Sequence, residues 1–201
     1  MIHTKKELEF YICADRIMNG RPIKKTIQER VCGGGIIDYL ESMRKCSFYS
    51  KQSGLLNRIR FYCCRWQYRN LGIKYGFSIG YDVFGYGLVI PHYGTIVVGN
   101  SNRIGNYAVL HTSTCISDNA KEIGDALYLS TGSKMTSKIK LGNNVSVGAN
   151  SVVNKSFPEG NCMIAGAPAI KKKECVAWYI RDGQLYIDKV NNVEYLKGIL
   201  L

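Results

Sequence analysis

Aliphatic residues recur every six positions through the middle of this 201-residue chain, and no other feature restricts its fold so narrowly. Val98, Ile104, Leu110 and Ile116 form one in-phase series. After a one-residue slip, Ile123, Leu129, Met135, Leu141, Val147 and Val153 form a second. Glycine follows the aliphatic position at Gly99, Gly105, Gly124, Gly142 and Gly148. A helix repeats every 3.6 residues and a strand every two, so neither accounts for the spacing. A hexapeptide period predicts a mainly β fold, a parallel β-helix in which each unit forms one short flat strand and points its aliphatic residue into a prism.

The length accommodates one sizeable core with a small accessory region rather than two full domains. No apolar run approaches the ~20 residues needed to span a bilayer. The opening MIHTKKELEF has no apolar signal core, so a cytoplasmic location is expected, with the inner face of the membrane as a variant of it. The eight cysteines include no CxxC pair and are read as reduced thiols that pack as small hydrophobes; no metal is expected. A net charge of +12 suits acidic partners. The basic residues concentrate in the first 75 positions and in Lys171-Lys172-Lys173. No zinc-finger, helix-turn-helix or RNA-binding signature accompanies them, so nucleic acid is not an expected partner. Phosphorylated cofactors, anionic glycans and an anionic membrane surface fit the charge equally well.

Three regions separate. Residues 1–72 read as helical: Lys5 to Met18, a segment opened by Pro22, Ile36 to Lys45 beyond Gly33-Gly34-Gly35, and a helix capped by Ser53 that runs to Asn70. Leu55, Leu56, Ile59, Tyr62, Cys63 and Trp66 share a face of that last helix, and Arg58, Arg60, Arg65 and Arg69 crowd it. It is either a weak peripheral membrane contact or a solvated basic face on a helix packed beside the repeat. Residues 73–173 are the repeat, with its first turns beginning at Ile73 and Ile79 and loops at Tyr93-Gly94-Thr95 and at Ser117 to Glu122. Residues 174–201 form an extension. There Trp178-Tyr179-Ile180-Arg181 and Gln184-Leu185-Tyr186-Ile187 flank Asp182-Gly183, which predicts a type I′ β-hairpin followed by a short helical tail.

Histidine is scarce: His3, in the terminal segment, His92 and His111. His92 lies where glycines interrupt the repeat. On a surface turn, a neutral imidazole there can take a proton from an attacking hydroxyl. It is also six residues before Val98, the spacing of an inward-facing side chain. His111 follows inward-facing Leu110 at a repeat corner, as an acceptor contact or as an exposed corner residue. Asp82 is close enough in sequence to be considered as the group that orients His92, or else as an ordinary turn residue.

The stretch from Gly85 to Gly99 resembles the hexapeptide-repeat acyltransferases, most closely the serine acetyltransferase-like branch that includes capsule and exopolysaccharide O-acetyltransferases. Gly85, Gly87, Leu88, Val89, Ile90, His92, Ile96, Val97, Val98 and Gly99 match its glycine–apolar–histidine–valine pattern. Ile104 to Ile116 and Leu141 to Val153 match further stretches, and Ile164-Ala-Gly-Ala-Pro-Ala-Ile-Lys171 resembles the family's ending. The resemblance covers residues 72–173. It implies a left-handed prism, a homotrimer, acetyl-CoA as co-substrate and His92 as general base. The pantetheine arm would run along small residues (Thr131, Gly132, Gly148, Ala149, Ala165, Gly166 and Ala167), with Lys171 and Lys172 near the adenosine phosphates. Two departures stand out. The aspartate of the D-I-H-P-like step is replaced by Ser78, and the R-H-P element is replaced by Ser117-Asp-Asn-Ala-Lys-Glu122. Both losses fall on the serine-specific part of the family pattern. The expected acceptor is therefore a sugar hydroxyl in a capsule or surface-polysaccharide precursor, with serine O-acetylation as the alternative and a non-catalytic β-helix scaffold as the second.

Overall fold

The computed structural model describes residues 2–201. Four helices come first: α1 (Lys5–Met18), α2 (Ile27–Cys32), α3 (Ile36–Tyr49) and α4 (Leu55–Tyr75). The first two open with reciprocal capping boxes, Thr4 with Glu7 and Thr26 with Glu29. Two expectations shift here. Pro22 begins no helix, because residues 21–26 form an irregular connection whose Pro22 carbonyl accepts from the Arg16 guanidinium at 2.6 Å. Gly54, not Ser53, caps α4, and its φ of +93° suits glycine.

The hexapeptide repeat folds as predicted, into a parallel β-solenoid of three sheets. Sheet A holds β1 (Phe77–Ile79), β2 (Ile96–Val98), β5 (Thr114–Ile116), β8 (Lys134–Met135) and β11 (Val152–Val153). Sheet B holds β3 (Arg103–Ile104), β6 (Glu122–Ile123) and β9 (Lys140–Leu141). Sheet C holds β4 (Val109–Leu110), β7 (Tyr128–Leu129), β10 (Val145–Val147), β12 (Cys162–Gly166) and the antiparallel β13 (Ala169–Glu174). All ten in-phase aliphatic residues point inward, none more than 6% exposed. The register runs straight down the prism, so that Ile96 sits over Thr114, Leu110 over Leu129 and Val147 over Ile164. The one-residue slip falls in the turn between β5 and β6. There the amine of buried Lys121 is satisfied by the Ser117 carbonyl at 2.7 Å and the Ser117 hydroxyl at 2.9 Å. Ile73 is a correction: α4 extends through it, its side chain is exposed, and the first coil starts at β1.

The helices cover the top of the prism. Tyr39 of α3 packs on Tyr68 of α4 and on Phe77, with both ring centroids 5.1 Å away. The α4 side chains that turn inward are Phe61, Cys64, Tyr68, Leu71 and Tyr75, the reverse of the apolar face read from the sequence.

The predicted C-terminal hairpin is absent. In its place are α5 (Trp178–Arg181) and α6 (Gln184–Leu200), joined at Asp182-Gly183, with Gly183 at φ +101° as the cap of α6. Trp178 is the reason. Its ring is buried in a cluster of Tyr128, Tyr179 and Tyr186, and its Nε1 donates to the Tyr107 carbonyl at 2.7 Å. Tyr186, Val190, Val193, Leu196 and Leu200 then recur at helical spacing against α1.

Candidate active site

The prism has three long edges, and the corner between sheets C and A carries both His92 and His111. One residue past the inward position of sheet C in successive coils come Pro91, His111, Ser130, Gly148 and Ala165, the last still within β12. Next in each coil come His92, Thr112, Thr131, Ala149 and Gly166. Backbone bonds lock the stack: Gly132 N–H donates to the Thr112 carbonyl and Asn150 N–H to the Thr131 carbonyl, both at 3.0 Å. Gly94, Ser113, Gly132 and Asn150 all have positive φ, which turns the chain at this corner. Close stacking also forbids bulk. A Cβ on Gly148 would come within 2.9 Å of the Ala165 Cβ. The result is a lane of small residues running down one edge, with two histidines at its upper end. Ala167 continues it beyond Gly166, and its peptide bond to Pro168 is cis.

His92 stands on the surface, not in the core, which resolves the two readings of its spacing. Its ring makes no hydrogen bond among the described residues, and its centroid lies 6.4 Å from that of His111. The half-buried His111 ring pairs through Nε2 with the Tyr128 hydroxyl at 2.9 Å. Burial, reinforced by the neighbouring His92, holds His111 below its ordinary value of 6.5 while Asp182 pulls the other way. Tyr128 is covered in turn by the Arg181 guanidinium, 4.5 Å above its ring. Arg181 is paired with Asp182 at 2.7 Å and bonded to Ser146 Oγ at 3.1 Å.

Asp82 does not join this group. Ten residues back on a coil of about eighteen is more than half a turn, which places it at the corner between sheets A and B. There its carboxylate accepts from Ser47 at 2.6 Å and pairs with Lys51 at 2.8 Å. Burial acts to raise its pKa, but these partners hold it below the usual carboxylate value. Lys171 and Lys172 are exposed on β13, which leaves the small-residue lane at Ala169 and runs back across sheet C; Lys171 pairs with Glu174.

The helical layer completes a cavity of about 230 Å³ beside His92, lined by Asn19, Arg21, Ile37, Ile90, Pro91 and Tyr93 among others. Asn19 fastens this wall, donating to the Leu88 carbonyl at 2.8 Å and accepting from Ile90 N–H. Tyr128, Arg181, Asn19 and Arg21 were not singled out from the sequence. Each comes to the histidines by packing between segments far apart in the chain, and no local motif marks them.

No protein-family model matches the chain. Curated relatives are a serine acetyltransferase of Staphylococcus epidermidis, 32% identical over 94 residues, and one of Staphylococcus aureus, 30% identical over 96 residues. These matches take in 43% and 44% of this chain and 44% and 45% of the respective relatives, so the chain spans less than half the length of the proteins it matches. Among solved structures, the serine acetyltransferase of Neisseria gonorrhoeae aligns with a TM-score of 0.65 at 18% identity, over 86% of this chain and 69% of that one. Soybean serine acetyltransferase aligns with 0.57 at 14% identity, over 86% and 85%. A serine acetyltransferase in complex with CoA aligns with 0.56 at 18% identity, over 83% and 69%. The fold is thus shared with these left-handed hexapeptide solenoids.

Proposed function

From the premise that this solenoid belongs to the serine acetyltransferase-like branch, we propose that the chain is an acetyl-CoA-dependent O-acetyltransferase acting on a small hydroxyl acceptor, with L-serine the favoured one. The observation that carries the reading is the edge itself: His92 exposed above a lane of small residues and beside a small cavity. When bound, acetyl-CoA supplies the activated acetyl thioester. The chain's residues do the rest. His92 accepts the acceptor's hydroxyl proton as the new O–C bond forms and the C–S bond breaks, and the proton then goes to the departing thiolate. His111, held by Tyr128, keeps a second polar group beside His92, and burial makes it the weaker base. Thr131, Gly132, Gly148, Ala149, Ala165, Gly166 and Ala167 leave room for a narrow arm. The exposed Lys171–Lys173 run suits phosphates, Lys171 being the one already engaged by a carboxylate. An open edge has one wall, and a homotrimer would supply the other from a neighbouring copy.

Serine is favoured over the sugar acceptor because the relatives are serine acetyltransferases and because Arg21, lining the His92 cavity and held only at 3.9 Å by Glu29, offers a cation to an amino-acid carboxylate. The sugar acceptor stands as a second reading, favoured by the loop from Ser117 to Glu122, which lacks arginine and histidine. Mass spectrometry of acetyl transfer from acetyl-CoA to L-serine and to a panel of sugars and nucleotide sugars decides between them. Acetylserine that falls about 10²–10⁴-fold in His92→Ala, with coenzyme A binding retained, supports the reading. Acetylated sugar alone moves the acceptor to the second reading. Absence of both product and coenzyme A binding makes the solenoid a scaffold.

A further inference from the structure

Helix α4 carries two apolar faces where a helix packed on one neighbour needs one. Phe61, Cys64, Tyr68, Leu71 and Tyr75 turn toward the protein. On the opposite side, at 3.6 residues per turn, Leu55, Ile59, Tyr62, Trp66 and Ile73 align in a stripe, and every one of them is more than half exposed. Arg58, Arg65 and Arg69 border this stripe on one side and Arg60 and Lys74 on the other, while α4 contains no Asp or Glu at all. The helix is not apolar enough to cross a membrane.

We propose that this outer face of α4 seats the protein on an anionic phospholipid surface, with the helix axis in the plane of the interface. Both halves of the pattern are used there. The bordering cations meet anionic headgroups, and the stripe, with Trp66 and Tyr62 at its centre, sinks to the acyl boundary. A second copy of the same face would set five cations against five with no carboxylate between them. A polyanion without an apolar layer would leave Leu55, Ile59 and Ile73 in water. Charge complementarity and the stripe together select lipid.

The test uses the full chain and does not depend on catalysis, so its failure and that of the proposed activity are separable. Vesicles of phosphatidylcholine are compared with vesicles in which about a third of the lipid is phosphatidylglycerol, by flotation and by tryptophan emission. Of the two tryptophans, Trp66 is 71% exposed and Trp178 only 2%, so a blue shift on adding vesicles reports Trp66. The expected result is flotation and a blue shift with the anionic vesicles, weakened by salt. Arg58→Gln, Arg65→Gln and Arg69→Gln should each reduce partitioning about fivefold. Ile59→Ser should reduce it further. All these side chains are exposed, so an unchanged urea midpoint serves as the folding control. Absence of flotation and shift overturns the proposal, as does equal binding to neutral vesicles. A larger assembly in sedimentation, abolished by Ile59→Ser, would overturn it by assigning the stripe to a second copy.

Discussion

The Tyr128 hydroxyl sits 2.9 Å from Nε2 of His111, and the C-terminal extension is what holds the phenol there. Arg181 caps its ring and Trp178 packs beside it at 6.3 Å between centroids. Tyr128 is therefore expected to act as a positioning residue for the pair of histidines. Tyr128→Phe removes one neutral hydrogen bond and should lower kcat/KM about fivefold while leaving coenzyme A affinity unchanged. Arg181→Ala should act in the same direction, and the two changes should be non-additive in a double-mutant cycle, because they act through one ring. Additive losses would separate the extension from the site.

Stability should fall on mild acidification because of His111. Its folded pKa is depressed below 6.5, chiefly by burial, so between the folded and unfolded values the unfolded chain binds the extra proton. Its contribution is thus fully present above pH 6.5 and is lost as pH drops through the folded value. Comparing urea midpoints of wild type and His111→Gln between about pH 5 and 7.5 checks this. The variant should have the shallower profile in that window.

The six-residue period specified the prism because each coil needs an aliphatic residue at each inward position, and Val98 through Val153 supply them with a single one-residue slip that the turn between β5 and β6 absorbs. His92 was not separated by the period, being in phase with Val98; only the glycines around it pointed to the surface position it takes. The extension was not, because Asp182-Gly183 satisfies the chemistry of a hairpin turn and of a helix cap equally well. What decides between them is the burial of Trp178 against Tyr107 and Tyr128, contacts spanning 71 and 50 residues that no local pattern encodes. The reversal of α4 has a similar cause. Its inner face is built of half-buried aromatics, and the aliphatics that would ordinarily mark the core are outside.

The B–C corner of the prism, just past β3 and β6, should be intolerant of even a methyl group. A Cβ on Gly105 would lie 2.7 Å from the Gly124 carbonyl carbon and 2.8 Å from the Asp125 amide nitrogen, and neither backbone atom can move away without separating two coils. Gly105→Ala is expected to cost about 1–3 kcal/mol, read from the urea midpoint at constant m-value. Gly198→Ala, with nothing within 4 Å, is the control and should be neutral or stabilising.

Docking of α6 should be acid-labile at Glu194. This carboxylate accepts from Tyr86 at 2.9 Å and from Tyr107, and pairs with Lys197. Burial works to raise its pKa, yet the tyrosine hydroxyls and Lys197 hold it below 4.5. The group is depressed on folding, so its stabilisation is present above pH 4.5 and is lost as pH falls through the folded value. Hydrogen exchange of α6 amides should rise through that window in wild type and be already raised at neutral pH in Glu194→Ala.

Besides Asn19, one buried pair, Asp15 and Arg44, fastens the segment that leads into His92. The guanidinium makes bonds of 2.7 and 3.0 Å to the carboxylate, and it also donates to the carbonyls of Phe84 at 2.8 Å and Gly85 at 2.6 Å. Asp15 in turn accepts from Leu88 N–H at 2.9 Å. Truncating Asp15 to Ala strands a buried cation, and a loss of about 3–5 kcal/mol is expected. Replacing both partners, Asp15→Leu with Arg44→Met, removes that charge. In an isolated ion pair this would restore most of the stability. Here three backbone groups of the His92 segment would still be left without partners, each worth about 1–3 kcal/mol. The double variant should therefore remain clearly less stable than wild type, and acetyl transfer should fall more than coenzyme A binding as the wall beside His92 loosens. Full recovery of both in the double variant would show that the pair is a simple ion pair and that the segment is held by other contacts.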